Sequence, residues 1–394
     1  MLQAMTKEGE FIQLINKTET EIKELRTTPF YCPVCSEKVI MKAGRLVAPH
    51  FAHYVKANCL MAVGGESEAH IRGKKELFHW LQKQKYKVSL EHFVKEIKQI
   101  PDIMLFFRRR KIAIEFQCSI ISVEEVNERN QGYKEQGILP IWFLHIKYFK
   151  RLSDCTIRIN SFLKHFIFEL TDKTPATLLF FCPERRIILL VQHLYFTSQT
   201  HAVGTIKLMP LNRTTFAHIF SKQPLEKNKL MNVWKKEKFN FRMGKKEIIT
   251  RNRRPFYEWL YNNHLHIEYL PNVVYLPVKN AWMMKVPIWE WQTRLCVNFL
   301  SKLNVGDEFH KIDCLKVLKR YLHKKETYPL VYTSTHPVTE YLAILSTIRI
   351  IHPTSNNTFK LLKNISYLDH IEHSIEADKL VMNKLLIYNE FQHV

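Results

Sequence analysis

Residues 101–117, PDIMLFFRRRKIAIEFQ, constrain the fold more than any other part of the chain. Two runs rich in β-branched and aromatic residues flank the basic turn Arg108-Arg109-Arg110-Lys111, which predicts two antiparallel strands over 101–108 and 111–119. Each run carries polar residues where a buried strand tolerates few: Asp102 opens the first, and Glu115 and Gln117 interrupt the second. Closing the turn sets Asp102 nearly opposite Glu115. The two-residue period of a strand puts Glu115 and Gln117 on one face, with Ile112, Ile114 and Phe116 pointing to a core on the other.

Around this hairpin, apolar periodicity predicts a helix over 66–85 with Ile71, Phe78 and Leu81 on one stripe. A strand over 86–94 follows it, and after the hairpin come a helix over 122–136 and a strand over 140–146. The order is that of a compact α/β unit. Carboxylates on core strands are costly as anions unless a cation compensates them, and hard oxygen donors with room for water and phosphate suit Mg²⁺ or Mn²⁺. Such an ion would serve phosphodiester cleavage. The first helix places Glu66, His70 and Lys74 on one face with Glu68 one step aside, offering a third ligand and a phosphate-binding cation, or else an ordinary solvated face. Arg129 and Tyr133, one turn apart on the second helix, are placed to reach a phosphate near the metal or to serve structure.

Nearer the N-terminus, Cys32-Pro33-Val34-Cys35 is followed by His50, His53 and Cys59 in a short, loop-rich segment. This is the spacing of a structural zinc site, in which thiolates and imidazole close a tetrahedral shell and staple a segment too small for a core of its own. Five candidates compete for four places. The preferred set is Cys32, Cys35, His53 and Cys59, with His50 supporting; the alternative is a metal-free module with reduced cysteines. The other cysteines (Cys118, Cys155, Cys182, Cys296 and Cys314) are scattered through apolar contexts and read as reduced core residues.

At 394 residues the chain exceeds one domain of roughly 150 residues. The expected division is a zinc-binding module over 1–64, the α/β unit over 65–150, and a mixed, then helix-rich region over 151–394. Lys and Arg number 59 against 37 Asp and Glu, a formal charge of +22 that favours polyanions. Nothing at the N-terminus has the basic-then-apolar order of a secretory signal, and no apolar run reaches the ~20 residues of a membrane helix. The expectation is a cytoplasmic protein without a membrane span. From 227 to 254 basic residues crowd together against only Glu237 and Glu247, with Trp234, Phe239 and Phe241 interleaved. Phosphate contacts are expected from Lys235, Lys236, Arg242, Lys245, Lys246, Arg251, Arg253 and Arg254, with Arg129 joining them from the α/β unit. The alternative is a charged helix with its aromatics turned inward. Trp282, Trp289 and Trp291 read as core or as a partner surface rather than a cofactor site.

The order helix Glu, Pro101-Asp102, then Glu115-x-Gln117 resembles the PD-(D/E)XK nuclease superfamily, with Gln117 standing where that pattern usually ends in Lys. The wider series CPVC, HFAH, GESEAH with Lys74, PDI, IEFQCS, Arg129 with Tyr133, and IWFLH resembles the bacterial competence protein CoiA family. The resemblance implies a restriction-endonuclease-like core and the handling of incoming single-stranded DNA in natural transformation, alongside recombination or DNA-uptake proteins. It assigns Asp102 and Glu115 to metal, Glu66 or Glu68 to assistance, and Gln117 and Lys74 to orienting water and phosphate. A rival reading keeps the fold without cleavage, as a single-strand-binding recombination adaptor. Neither charge nor a metal site distinguishes DNA from RNA.

Overall fold

A computed structural model of the chain describes residues 1–44, 49–54, 59, 67–244, 253–334 and 336–387. Two compact units emerge: Met1–Phe149 with Leu178–Leu190 and Lys207–Ser221, and Lys150–Thr177 with Val191–Ile206 and Lys222–Val394.

The first unit opens with a small antiparallel sheet of β1 (Gln3–Met5), β2 (Phe11–Gln13), β3 (Phe30–Tyr31), β4 (Lys38–Lys42) and β5 (His50–His53), in the order β2-β1-β3-β4-β5. The short helix α1 (Glu19–Glu24) starts at a capping box in which the Thr18 side chain accepts from the Glu21 amide. Phe30, Val39 and Phe51 pack with Leu14, Ile22, Cys32 and Cys59 into a core of modest size.

The predicted α/β unit follows. Helix α2 (Glu68–Lys83), capped by Ser67, leads to β6 (Lys87–Leu90), β7 (Ile103–Phe107) and β8 (Arg110–Gln117), then α3 (Val123–Glu135), capped by Ser122, and β9 (Ile138–His145). The β6, β7 and β8 strands are antiparallel, and the hairpin joining the last two turns at Arg108, whose φ of 54° lies in the left-handed region. β9 runs parallel to β8, so α3 is the crossover that a parallel pair requires. This unit was expected to end near 150, yet residues 178–182 extend its sheet, pairing parallel with β9 through Phe180 opposite Leu144.

β8 departs from the expected division into a polar and an apolar face. Ile112, Ala113, Ile114, Glu115 and Phe116 are all buried. A parallel neighbour and a helix on each face enclose the strand: Tyr133 of α3 reaches Glu115, and Gly73 of α2 lies against the Phe116 ring. A Cβ at Gly73 would fall 1.9 Å from a ring carbon, so this helical position has no room for even a methyl group.

In the second unit, Thr156–Arg158 pairs antiparallel with residues 201–203, and Glu308–His310, Thr358–Leu361 and Ile351–Ser355 form a three-stranded sheet. Helices Lys227–Arg242, Arg254–Asn262, Ile288–Asn298, Lys311–Leu318, Pro337–Thr347 and Ile371–Ile387 make its C-terminal part helix-rich. Trp282, Trp289 and Trp291 are buried. Cys118, Cys296 and Cys314 are buried, and Cys155 and Cys182 are half-buried. No helix among the described residues is long and apolar enough to cross a membrane.

Candidate nuclease-like and metal sites

The hairpin register, Ile103 opposite Ile114, brings Asp102 beside Glu115 as the sequence predicts. Asp102 Oδ2 accepts from the Phe116 amide at 2.8 Å and meets His70 Nε2 at 3.0 Å. Lys74 Nζ lies 3.9 Å from Asp102 Oδ1 and donates to Glu91 Oε1 at 2.6 Å. Lys74 was expected as a phosphate-binding cation or else on an ordinary solvated face. The residue is 1% exposed, and its ammonium faces the Glu91 and Asp102 carboxylates. Glu91, absent from the sequence expectations, is itself 4% exposed and adopts a left-handed φ of 46° in the turn after β6.

Glu115 is fully enclosed. Arg129 Nη2 donates to its Oε1 at 2.5 Å, and the Tyr133 hydroxyl donates to the same oxygen. Desolvation pushes the Glu115 carboxyl above its ordinary range; Arg129 opposes the shift and the charge of Asp102 adds to it. Burial works against the Arg129 guanidinium, but Glu115 holds it charged. Arg129 also donates to the Ile100 carbonyl and lies 5.7 Å from the Trp142 ring centroid. The structure thus spends Arg129 on Glu115, where a phosphate contact had been expected. Gln117 is half-buried and turns away, donating to the Ser119 carbonyl at 2.8 Å. Glu68 stands exposed in the first turn of α2. Glu66 lies outside the described residues.

The donor chemistry of Asp102 and Glu115 fits a small divalent cation. Both offer hard carboxylate oxygen, and the repulsion that helps raise Glu115 is what a cation beside the pair would relieve.

Among the described residues, the one group of three or more close metal donors is Cys32, Cys35, His53 and Cys59, whose ligand atoms all lie within 4.8 Å of one another. This is the preferred set, and His50, at the other end of β5, is not in it. Cys32 Sγ and Cys59 Sγ are 3.7 Å apart, close to the ~3.8 Å edge of a tetrahedron with zinc–sulfur bonds of about 2.3 Å. Cys35 Sγ and His53 Nε2 are 3.3 Å apart. Locally the CPVC turn is built for this. Val34 N–H points at Cys32 Sγ, Ser36 N–H donates to the Cys32 carbonyl, and Ser36 adopts φ of 59°. Burial draws the His53 imidazole below its ordinary range and pushes the Cys32 thiol up to about 12, so a metal must displace the thiol's proton. The four residues form a Cys₃His group that could hold a metal ion such as zinc.

The basic stretch divides differently from the expectation. Arg242 was read as a DNA contact but is 1% exposed, clamped on Asp378 through Nε at 2.9 Å and Nη2 at 3.0 Å. It also donates to the carbonyls of Glu268, Leu270 and Pro271. Lys238 is buried on the same carboxylate at 3.0 Å. The helical spacing of four that puts Lys238 and Arg242 on one stripe is also the spacing of a core face, and the partner Asp378 is remote in sequence. Lys236 and Arg254 are exposed, and Lys235 and Arg253 are half-buried. Lys235 donates to Asn383 and Arg254 pairs with Glu258. Lys245, Lys246 and Arg251 lie outside the described residues.

Sequence models of the competence protein CoiA family match along the chain: the N-terminal domain over residues 14–62, the nuclease-like domain over 66–224 and the C-terminal domain over 230–375. A curated relative, Competence protein CoiA of Bacillus subtilis (strain 168), is 27% identical over 370 residues, covering 91% of this chain and 96% of its own length. No solved structure matches the chain. Its domains follow one another in the family's N-terminal, nuclease-like and C-terminal order, and the chain belongs to the competence protein CoiA family.

Proposed function

We propose that this protein handles DNA in the cytoplasm during natural competence, and that Asp102 and Glu115 are the core of a metal-dependent phosphodiesterase site acting on single-stranded DNA. The observation that carries the reading is the meeting of these two carboxylates on β8 and the residue before β7, inside a family-matched nuclease-like domain. When bound, Mg²⁺ or Mn²⁺ supplies polarisation of the phosphodiester and activation of water. The protein's own part is positional. His70 and the Phe116 amide hold one oxygen of Asp102, while Arg129 and Tyr133 hold one oxygen of Glu115. Glu66 or Glu68 would assist. Recombination or DNA-uptake proteins are the partners this role implies, and the net charge of +22 suits the substrate.

The test is cleavage of labelled single- and double-stranded DNA, and of RNA, with Mg²⁺, with Mn²⁺ and with chelator. Asp102→Asn and Glu115→Gln should each remove metal-dependent cleavage while the fold persists. A parent that cleaves no nucleic acid with either metal, or variants that cleave as the parent does, would sink the catalytic reading. Two observations favour the rival, a single-strand-binding adaptor: Gln117 turns to Ser119, and Arg129 already neutralises Glu115. Gln117→Lys should raise cleavage in a weak nuclease and leave an adaptor unchanged.

For the Cys₃His group we propose structural zinc, at about one ion per chain and coupled to folding of the small N-terminal sheet. Elemental analysis of protein purified without chelator checks it. Cys32→Ser should lose the metal, and full stoichiometry in that variant would remove Cys32 from the site.

A further inference from the structure

We propose that Glu91 is a positioning residue that holds Lys74 back from Asp102 and so keeps that carboxylate available to a cation. The proposal rests on the metal-site reading above.

Lys74 is buried between two acids, with Nζ at 2.6 Å from Glu91 Oε1 and 3.9 Å from Asp102 Oδ1. In a desolvated setting an ammonium settles on whichever carboxylate is better placed, and here Glu91 is immobilised from several sides. Its second oxygen, Oε2, accepts from the Leu2 amide at 2.7 Å. Its own amide donates to the Asp102 carbonyl at 3.0 Å, and its carbonyl accepts from Gln3 Nε2 at 3.3 Å. The Leu2 end is no looser, since the neighbouring Met1 carbonyl accepts from Phe51 of β5 at 2.8 Å. Glu91 therefore presents a carboxylate that cannot swing, and Lys74 follows it. Asp102 is left to accept from the Phe116 amide and His70.

With Glu91 made neutral, the carboxylate left within 4 Å of Lys74 among the described residues is Asp102. The ammonium would move the short distance onto Asp102 Oδ1 and compete there with a divalent ion. Glu91→Gln removes the countercharge at nearly constant shape: its one side-chain oxygen can still accept from Leu2, while its amide nitrogen, a donor, then faces Lys74 and no longer holds it.

Three proteins are compared, each first shown to be folded by circular dichroism: the parent, Glu91→Gln, and Glu91→Gln with Lys74→Met. Two readouts are Mn²⁺ binding by calorimetry and amide exchange at Phe116, whose N–H reports on Asp102 directly. Glu91→Gln should weaken Mn²⁺ binding about tenfold, in the range of losses when a residue supporting a metal ligand is removed. It should also speed Phe116 exchange about tenfold as Asp102 is drawn away. Removing the competitor in the double variant should return Mn²⁺ affinity to near the parent's. If Glu91→Gln leaves both readouts at parent values, or if the double variant binds no better than the single, Glu91 is only a structural partner and the proposal fails. A parent that binds no Mn²⁺ ends the metal-site reading alone, and the Phe116 readout then decides the proposal by itself.

Discussion

Two buried charge clusters, one in each compact unit, solve opposite problems. Among the described residues of the nuclease-like unit, three carboxyl groups, Glu91, Asp102 and Glu115, meet two strong cations, Lys74 and Arg129. Between helices Lys227–Arg242 and Ile371–Ile387, the single carboxylate of Asp378 meets two cations, Lys238 and Arg242. An excess of cation is easily discharged inside a protein, because every nearby backbone carbonyl is an acceptor. Arg242 uses three of them and Lys238 a fourth, at Asn272. An excess of anion needs N–H and O–H donors, which helices and strands have mostly consumed, so it raises a carboxyl's pKa or calls in a cation. The first cluster leaves a carboxyl raised by burial and by its acidic neighbour; the second answers its one carboxylate twice.

Removing the shared carboxylate from the second cluster should have the largest effect. Asp378→Ala leaves Lys238 and Arg242 buried without a counterion, and about 3–5 kcal/mol of stability should be lost in chemical denaturation. A loss below about 1 kcal/mol would mean that the carbonyls alone satisfy both cations.

The comparison sharpens when one lysine is deleted from each cluster. Lys74→Met strands Glu91 in the interior and should cost about 3 kcal/mol. Lys238→Met leaves Arg242 paired with Asp378 one to one. Burial already draws Lys238 down to about 8, so its loss should change stability by about 1 kcal/mol or less, in either direction. Equal costs in denaturant titrations would erase the distinction between the clusters.

Glu340 shows what an uncompensated acid does. It is buried, its Oε1 has no hydrogen-bond partner among the described residues, and desolvation pushes its carboxyl up to about 7 although Lys279 pulls the other way. An acid whose folded pKa exceeds its ordinary 4.5 favours the protonated folded state. Its contribution is complete below about pH 4.5 and is lost as pH rises through 7, by about 3 kcal/mol in all. Thermal melts of Glu340→Gln between pH 5 and 8 should lack that loss relative to the parent. A pH profile parallel to the parent's would show that Glu340 is ionised throughout.

The smallest effect belongs to the surface. Lys236→Gln should leave stability within about 0.5 kcal/mol and, if Lys236 meets a DNA phosphate, lower the salt slope of single-strand binding by about 0.7. Unchanged slopes would move the DNA contacts away from this helix.

Periodicity made the elements of the nuclease-like unit legible. The strands, both helices and the facing of Asp102 and Glu115 follow from local alternation and one basic turn, and the CPVC–His–Cys spacing located four residues that do converge. What escaped depends on contacts remote in sequence. Glu91 sits in a turn and gains its meaning from Leu2 and Lys74. Lys238 and Arg242 look solvated until Asp378 arrives from far along the chain. Arg129 was recognised as a partner of the site but assigned to phosphate, because one turn of helix reveals which residues are neighbours and not which charge they answer.

Gly73 carries a final consequence. Its bare α-carbon sets the clearance between α2 and β8, and the next residue, Lys74, reaches Glu91 only because the helix lies that low on the sheet. A methyl group there would lift the helix off the Phe116 ring. Lys74 would be carried away from Glu91 and His70 from Asp102, even though every charged group remained in the sequence. The electrostatics of the carboxylate site thus depend on a residue that contributes no side chain.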